Sequence, residues 1–198
     1  MSGKIMVAPT RTYKGIGLFG KIPARGDFLS VGVPTSFVDA AESWIRSGLL
    51  ALKHKPDWQS AYLSAPIWQF SCAAGVWNEN PWSGILMPSV DRVGRYFPLL
   101  VVKPCRSLSN TSLYEMQAGA QKALDPNLAD MELWRTNLLK LKVEPAVERR
   151  TGLLCPPMGG VFRALDLEGQ IAYEYVVSSL DADLFCQMII NTQTLGEG

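Results

Sequence analysis

Two short charged segments, each beside an apolar run, contain the residues best suited to polar chemistry in this chain. In the second segment, Asp91, Arg92 and Arg95 lie between the apolar runs 84–87 and 97–102. Ionised Asp and Arg side chains are costly to remove from water unless they are paired. This segment is therefore expected either to lock the fold or to contact a partner.

The first segment carries Lys21, Arg25 and Asp27 and follows another apolar run. If the two segments meet in the fold, Asp27 with Arg92, or Asp91 with Arg25, could form bidentate pairs that fix the loop geometry. The alternative is a recognition site in which the arginines bind an acidic or phosphorylated partner and the aspartates orient them. The residues alone leave both interpretations open.

Catalytic chemistry has little support in the sequence. Asp27 and Asp91 are the one carboxylate pair that a hydrolase or phosphoryl-transfer enzyme could use, and no His accompanies them. The single histidine, His54, lies between two lysines, and the four cysteines show no C-x-x-C spacing. Residues 15–20 fit G-x-G-x-x-G, but they lie within a strand-like run, which is the wrong context for a dinucleotide site. We expect no catalytic residue, no metal and no cofactor.

The chain has 198 residues, of which 47% are hydrophobic, so one domain spanning residues 1–198 with a substantial core is expected. A formal net charge of +1 argues against binding to nucleic acid. No run approaches the roughly 20 apolar residues of a membrane span, and the N-terminal apolar stretch is too short for a signal peptide. We therefore expect a cytoplasmic protein without direct membrane insertion. Residues 1–13 are interpreted as a lead-in strand or a loose arm.

Hydrophobic periodicity predicts the elements around the charged segments. Spacings of three and four predict an amphipathic helix over 36–52. Strands are predicted over 67–73, 84–90 and 97–103, with the second charged segment between the last two, and a hairpin over 161–177. This order predicts an α/β fold, a single-domain α/β sandwich with a largely antiparallel sheet flanked by about four helices.

Start and stop signals predict the remaining helices. Ser112 and Glu115 form a capping-box pattern at the start of one helix, and Asn127 opens the next. Ser178 and its neighbour Ser179 are expected to cap a final helix. The Pro and Gly cluster over 151–160 predicts a loop.

Two tryptophans are candidates for an interface. Trp77 and Trp82 flank the polar stretch 78–81, a context typical of exposed aromatic contact residues. In contrast, Trp44 and Trp134 lie on helical apolar stripes and are expected in the core.

Residues 17–28 (GLFGKIPARGDF) and 87–98 (MPSVDRVGRYFP), with Pro34, Phe37 and Trp44 between them, resemble a known pair of signature blocks. They are similar to those of TagF, an accessory protein family of the bacterial type VI secretion system. The resemblance covers roughly the first half of the chain.

The resemblance implies a cytoplasmic post-translational repressor of type VI secretion and not an enzyme. Family members are linked to a forkhead-associated (Fha) scaffold protein, whose sequestration or blocking prevents assembly of the apparatus in a branch of control independent of threonine phosphorylation. It also implies an α/β sandwich related to longin-type domains. A structural component of the secretion machine and a hydrolase or phosphoryl-transfer enzyme centred on Asp27 and Asp91 remain the alternatives. The candidate partner-binding or loop-locking residues are Lys21, Arg25, Asp27, Asp91, Arg92 and Arg95.

Overall fold

The structure is a computed structural model, and it describes residues 14–190 of the chain. The interpretation of residues 1–13 lies outside this range. The strands are β1 (Gly17–Gly20), β2 (Leu29–Val31), β3 (Trp68–Cys72), β4 (Trp82–Met87), β5 (Leu99–Lys103), β6 (Ser107–Ser109), β7 (Gly152–Leu154), β8 (Gly160–Leu165) and β9 (Ile171–Val177). The helices are α1 (Thr35–Leu52), α2 (Trp58–Ser64), α3 (Asn110–Gln121), α4 (Met131–Leu139) and α5 (Ala182–Ile190), with a short 3-10 turn at Lys122–Leu124.

Seven strands form one sheet in the order β2-β1-β5-β4-β3-β8-β9, and every neighbouring pair is antiparallel. Strands β6 and β7 form a separate antiparallel pair. The predicted α/β fold with a largely antiparallel sheet is therefore confirmed. None of the helices in the described range is long and apolar enough to cross a membrane.

Helices and the small sheet cover both faces of the large sheet. On β5, Leu100 and Val102 join a core cluster with side chains of α1, α2 and α5, whereas Leu99 and Val101 join a second cluster with side chains of α3 and α4. Because successive side chains of a strand point to opposite faces, a strand buried on both sides becomes a continuous apolar run. The sheet is thus a rigid middle layer, and the two charged segments lie where β1 and β4 end and β5 begins.

Helix α3 begins earlier than its predicted capping box. The N-cap is Ser109, whose Oγ accepts a hydrogen bond from the backbone amide of Ser112 at 3.2 Å. Ser112 itself is buried, and its hydroxyl accepts a hydrogen bond from the amide of Glu144 at 2.7 Å. The capping box predicted at Ser112 was therefore wrong because a serine three residues upstream does the capping.

Two other helices are capped by aspartates instead of the predicted residues. Asp130, not Asn127, caps α4 by accepting a hydrogen bond from the amide three residues further along at 2.8 Å. Asp181, not Ser178 or Ser179, does the same for α5, also at 2.8 Å. Aspartate is an equally good N-cap residue, so pattern alone did not separate these candidates.

The predicted loop over 151–160 contains the short strand β7. Its pairing with β6 supplies the hydrogen bonds of a segment only three residues long. A strand this short shows no readable alternation.

Candidate functional site

The second charged segment forms a tight loop between β4 and β5, which we call loop B (residues 88–98). A single antiparallel bridge joins Val90 and Tyr96. Inside it, the amide of Asp91 donates to the carbonyl of Arg95 at 3.0 Å, and the amide of Gly94 donates to the carbonyl of Asp91 at 2.9 Å. Gly94 has φ +80°, a left-handed conformation that glycine adopts without strain. The backbone therefore closes tightly around the Asp91 side chain.

The carboxylate of Asp91 is fully buried and accepts four hydrogen bonds. Its Oδ2 accepts from Lys21 Nζ at 2.7 Å and from Arg95 Nε at 2.6 Å. Its Oδ1 accepts from the amides of Val93 at 3.0 Å and Arg95 at 2.9 Å. A carboxylate offers about four acceptor positions, so Asp91 has none left for a ligand.

These contacts determine the charge state of Asp91. Burial by itself would raise the pKa of this carboxyl group, but the hydrogen bonds from Lys21, from Arg95 and from the amide of Val93 outweigh it. The pKa of Asp91 is therefore held well below its ordinary range. Since Lys21 is also buried, with 7% of its side chain exposed, the pair is a buried ion pair.

Loop B is attached to the first charged segment, which we call loop A (residues 21–28). Besides the Lys21 to Asp91 pair, the amide of Arg92 donates to the carbonyl of Arg25 at 2.9 Å. A guanidinium nitrogen of Arg95 also donates to the carbonyl of Gly26. The two charged segments therefore meet in the fold, and we call the Lys21, Asp91 and Arg95 cluster the lock.

The ion pairs suggested from the sequence for these two segments need correction. Neither Asp27 with Arg92 nor Asp91 with Arg25 forms an ion pair in the described part of the chain. Arg25 contributes its backbone carbonyl, while Lys21, at the end of β1, reaches the buried carboxylate. Asp27 and Arg92 are exposed, and no ion pair within residues 14–190 involves either of them. The structure therefore separates the six candidates into a lock and three outer residues, Arg25, Asp27 and Arg92.

Aromatic rings support the lock from one side. The Lys21 ammonium lies 4.9 Å from the centroid of the Phe28 ring. Phe28 stacks on Phe19 at 5.7 Å and meets Phe97 edge to face at 4.8 Å. An ammonium held between a carboxylate and a ring face has little freedom to move. Loop A is thus fixed by packing as well as by charge.

A groove of about 640 Å³ opens beside the lock, between α1, α2 and loop B. Its wall contains no Asp or Glu. Its charged lining residues are all cations: Lys21, Arg46, Lys53 and Arg95. Its aromatic lining residues are Phe28, Trp58, Tyr96 and Phe97. A groove with this lining suits an acidic segment that also carries apolar side chains.

Three groove residues were not identified from the sequence, although α1 carried a signal. Arg46 and Leu50 lie on the face of α1 opposite its buried stripe, Lys53 continues their spacing of four and three as the C-cap residue, and Leu50 is 64% exposed. Arg46 lies 5.8 Å from the Phe28 ring centroid and also pairs with Glu42 at 2.5 Å. An exposed leucine between two cations on one helix face is a pattern that could have drawn attention.

The interpretation of Trp77 and Trp82 as exposed interface residues is corrected by their burial. Trp77 is 4% exposed and Trp82 is fully buried. Trp82 is the first residue of β4, packs on Phe37 at 4.5 Å between ring centroids, and donates its Nε1 hydrogen to Asn78 at 2.8 Å. Asn78, in the polar stretch between the two tryptophans, therefore holds the Trp82 indole in the protein interior. Trp44, predicted in the core, packs against Trp77 at 5.4 Å.

Both the sequence and the fold of the chain are similar to those of known proteins. Residues 17–144 match the family model described as TagF N-terminal domain, type VI secretion system-associated. The structure is similar to the crystal structure of PA0076 from Pseudomonas aeruginosa PAO1, with a TM-score of 0.69 and 24% sequence identity, covering 89% of this chain and 94% of that chain. At this identity the likeness shows a shared fold. No curated protein sequence matches the chain.

Proposed function

The chain belongs to the TagF N-terminal domain family of type VI secretion system-associated proteins, and from this membership we propose that it is a cytoplasmic, non-enzymatic repressor of type VI secretion. In this proposal it acts after translation by binding the Fha scaffold protein. Sequestered scaffold is then unable to support assembly of the apparatus.

The observation that carries the proposal is the surface built on loops A and B. Residues 94–97 of loop B line the cationic groove, and Arg92 stands exposed on the same loop. Asp27 is exposed on loop A, which the lock holds against loop B. The four groove cations outnumber the two carboxylates that pair with them, because Lys21 and Arg95 share Asp91 and Arg46 pairs with Glu42, and this excess of positive charge favours an acidic surface on the partner. We therefore assign the contact to the outer residues and to the groove.

The lock has a positioning role in this proposal. Holding the two loops in one arrangement before binding reduces the conformational entropy that association must overcome. Lys21 and Asp91 act from inside the fold, whereas Arg95 joins the lock to the groove because 59% of its side chain is exposed. Loss of the lock would weaken binding indirectly, through the shape of the loops.

A non-enzymatic function also agrees with the environment of Asp91. A general base or metal ligand needs a free oxygen lone pair, and all four acceptor positions of Asp91 are taken by Lys21, Val93 and Arg95. Asp27 is exposed while Asp91 is buried, so the two carboxylates have very different surroundings. The alternative hydrolase would have to break the lock to use Asp91.

Direct binding is tested with the purified full chain and the purified Fha scaffold at mild salt. We expect a stable complex, and deletion of the protein from the bacterium should raise effector export. Absence of a complex would overturn the direct-contact mechanism. Stoichiometric co-purification with baseplate or sheath proteins in place of the scaffold would instead favour a structural component.

A further inference from the structure

Arg163 is a buried cation on β8 without a carboxylate partner. The residue is 6% exposed. Its Nε donates to Gln69 Oε1 at 2.8 Å, and its Nη2 donates to Asn110 Oδ1 at 2.7 Å. No ion pair within residues 14–190 involves Arg163, so the direct partners of its buried charge are neutral amides. Such a charge is costly to bury, which makes an added anion favourable.

A cavity of about 320 Å³ opens onto this guanidinium. Arg149 and Arg150 also line it, together with Asn110 and Tyr114. No Asp or Glu is among its lining residues, so all three charged groups in the wall are arginines. Arg149 is exposed, and its side chain makes no ion pair or hydrogen bond in the part of the chain that the structure describes. The wall therefore has donors and positive charge available for a ligand.

The start of helix α3 adds to this electrostatic character. Asn110 is the first residue of α3, and Tyr114 lies one turn further along the same face. The N-terminal end of a helix carries partial positive charge. On the opposite wall, Gly169 in the turn between β8 and β9 has φ +79°, and a Cβ there would lie 3.2 Å from the Tyr114 hydroxyl oxygen. Glycine at this position keeps the cavity open beside the hydroxyl group.

Two carboxylates lie near the cavity without lining it: Glu148, which pairs with Arg150 at 3.6 Å, and Glu174, which stands opposite Arg163 in the register of β8 and β9. Glu174 is exposed and does not line this cavity, but it lines a neighbouring one whose wall also includes Arg149 and Arg163. It makes no ion pair with Arg163 among the described residues. Long-range attraction to Glu174 offsets part of the Arg163 charge, but it leaves Arg149 without a partner.

We propose that this cavity binds a phosphoryl oxyanion, either free phosphate or the phosphate group of a small molecule. Planar guanidinium groups match the oxygens of phosphate through paired hydrogen bonds, and a tyrosine hydroxyl adds a further donor. Arg149, Arg150 and Arg163 lie beyond the residues 17–144 that match the family model, and the cavity shares no lining residue with the groove. The site is therefore independent of the function proposed above.

Calorimetric titration of the full chain with inorganic phosphate tests the site, with chloride at matched ionic strength as the reference. We expect saturable binding that weakens about tenfold in Arg149→Ala and that tightens in Glu174→Gln. Arg135→Ala, which removes an arginine outside the cavity, should leave binding unchanged. Arg149 and Glu174 are both exposed, so their variants are expected to fold.

A parallel titration with glycerol phosphate separates the two sources of the oxyanion. Tighter binding of inorganic phosphate would support a free anion, and tighter binding of glycerol phosphate would support a group carried by a small molecule. Failure of both ligands to saturate the protein, or equal affinity of the wild type and Arg149→Ala, would overturn the proposal.

Discussion

Arg95 binds Asp91 twice within one turn of chain, through its backbone amide to Oδ1 at 2.9 Å and through its guanidinium Nε to Oδ2 at 2.6 Å. A third contact runs from the same guanidinium to the carbonyl of Gly26 on loop A. One exposed side chain thus connects a buried carboxylate, a neighbouring loop and the groove. The shape of the surface at loops A and B depends on a charge that lies beneath it.

Replacing Asp91 with Asn tests the lock. We expect a loss of about 3–5 kcal/mol in the free energy of unfolding, because Lys21 would remain buried without a counter-charge. Urea denaturation measures the loss. The matched control is Asp27→Asn, which changes an exposed aspartate in the same surface region and should stay within about 0.5 kcal/mol of the wild type. Equal stability of the two variants would show that Asp91 is not a structural ion.

Lowering the pH should remove the stabilisation that ionised Asp91 gives to the folded state. The pKa of Asp91 is depressed in the folded state, so its stabilisation is complete above the unfolded pKa of about 3.9 and decreases as the pH falls below it. By pH 3 the unfolding free-energy advantage of the wild type over Asp91→Asn should shrink by about 1 kcal/mol. Denaturant titrations of both proteins between pH 7 and pH 3 measure this difference. An advantage that stays constant with pH would contradict the depressed pKa.

The sheet could be predicted from the sequence because its signals are local. Residues 99–102 are uniformly apolar, and β5 pairs antiparallel with both of its neighbours, β1 and β4. Strand β7 was missed because three residues show no period, and its place depends on β6, more than 40 residues earlier in the chain. Local pattern therefore predicted the layers but not the small sheet.

The candidate site could be predicted only in part, for a related reason. The charges on loops A and B indicated two segments able to pair, but sequence spacing does not say which cation reaches a given carboxylate. Lys21 reaches Asp91 because β1 and β5 are adjacent in the sheet, and that register is a property of the whole fold. Likewise, Arg46 and Lys53 become groove residues only once α2 and loop B pack beside α1.

The variant Arg92→Ala distinguishes a role of Arg92 in contacting the partner from a role in folding. The Arg92 side chain is exposed, and the backbone bond from its amide to the Arg25 carbonyl does not depend on the side chain. We expect stability within about 0.5 kcal/mol of the wild type and several-fold weaker binding to the Fha scaffold. Thermal unfolding and calorimetry with the purified scaffold measure the two effects, with Lys140→Ala as a control for loss of one exposed cation. Strong destabilisation by Arg92→Ala would assign this residue to folding.

Reversing the charge of the groove tests the chemistry expected of the partner. In the double variant Arg46→Glu and Lys53→Glu, two of the four groove cations become anions, while the lock is unchanged. If the partner presents an acidic segment, scaffold binding should fall by more than about tenfold, mainly through slower association, and its remaining salt dependence should weaken. Surface plasmon resonance at several salt concentrations measures both rates.

Because Arg46 pairs with Glu42, the single variant Glu42→Gln is the matched control. It frees Arg46 and should strengthen binding, since an unpaired guanidinium is a better donor to an acidic partner. Unchanged association rates in the double variant would place the contact elsewhere on the surface, with Arg92 and Asp27 as the remaining candidates.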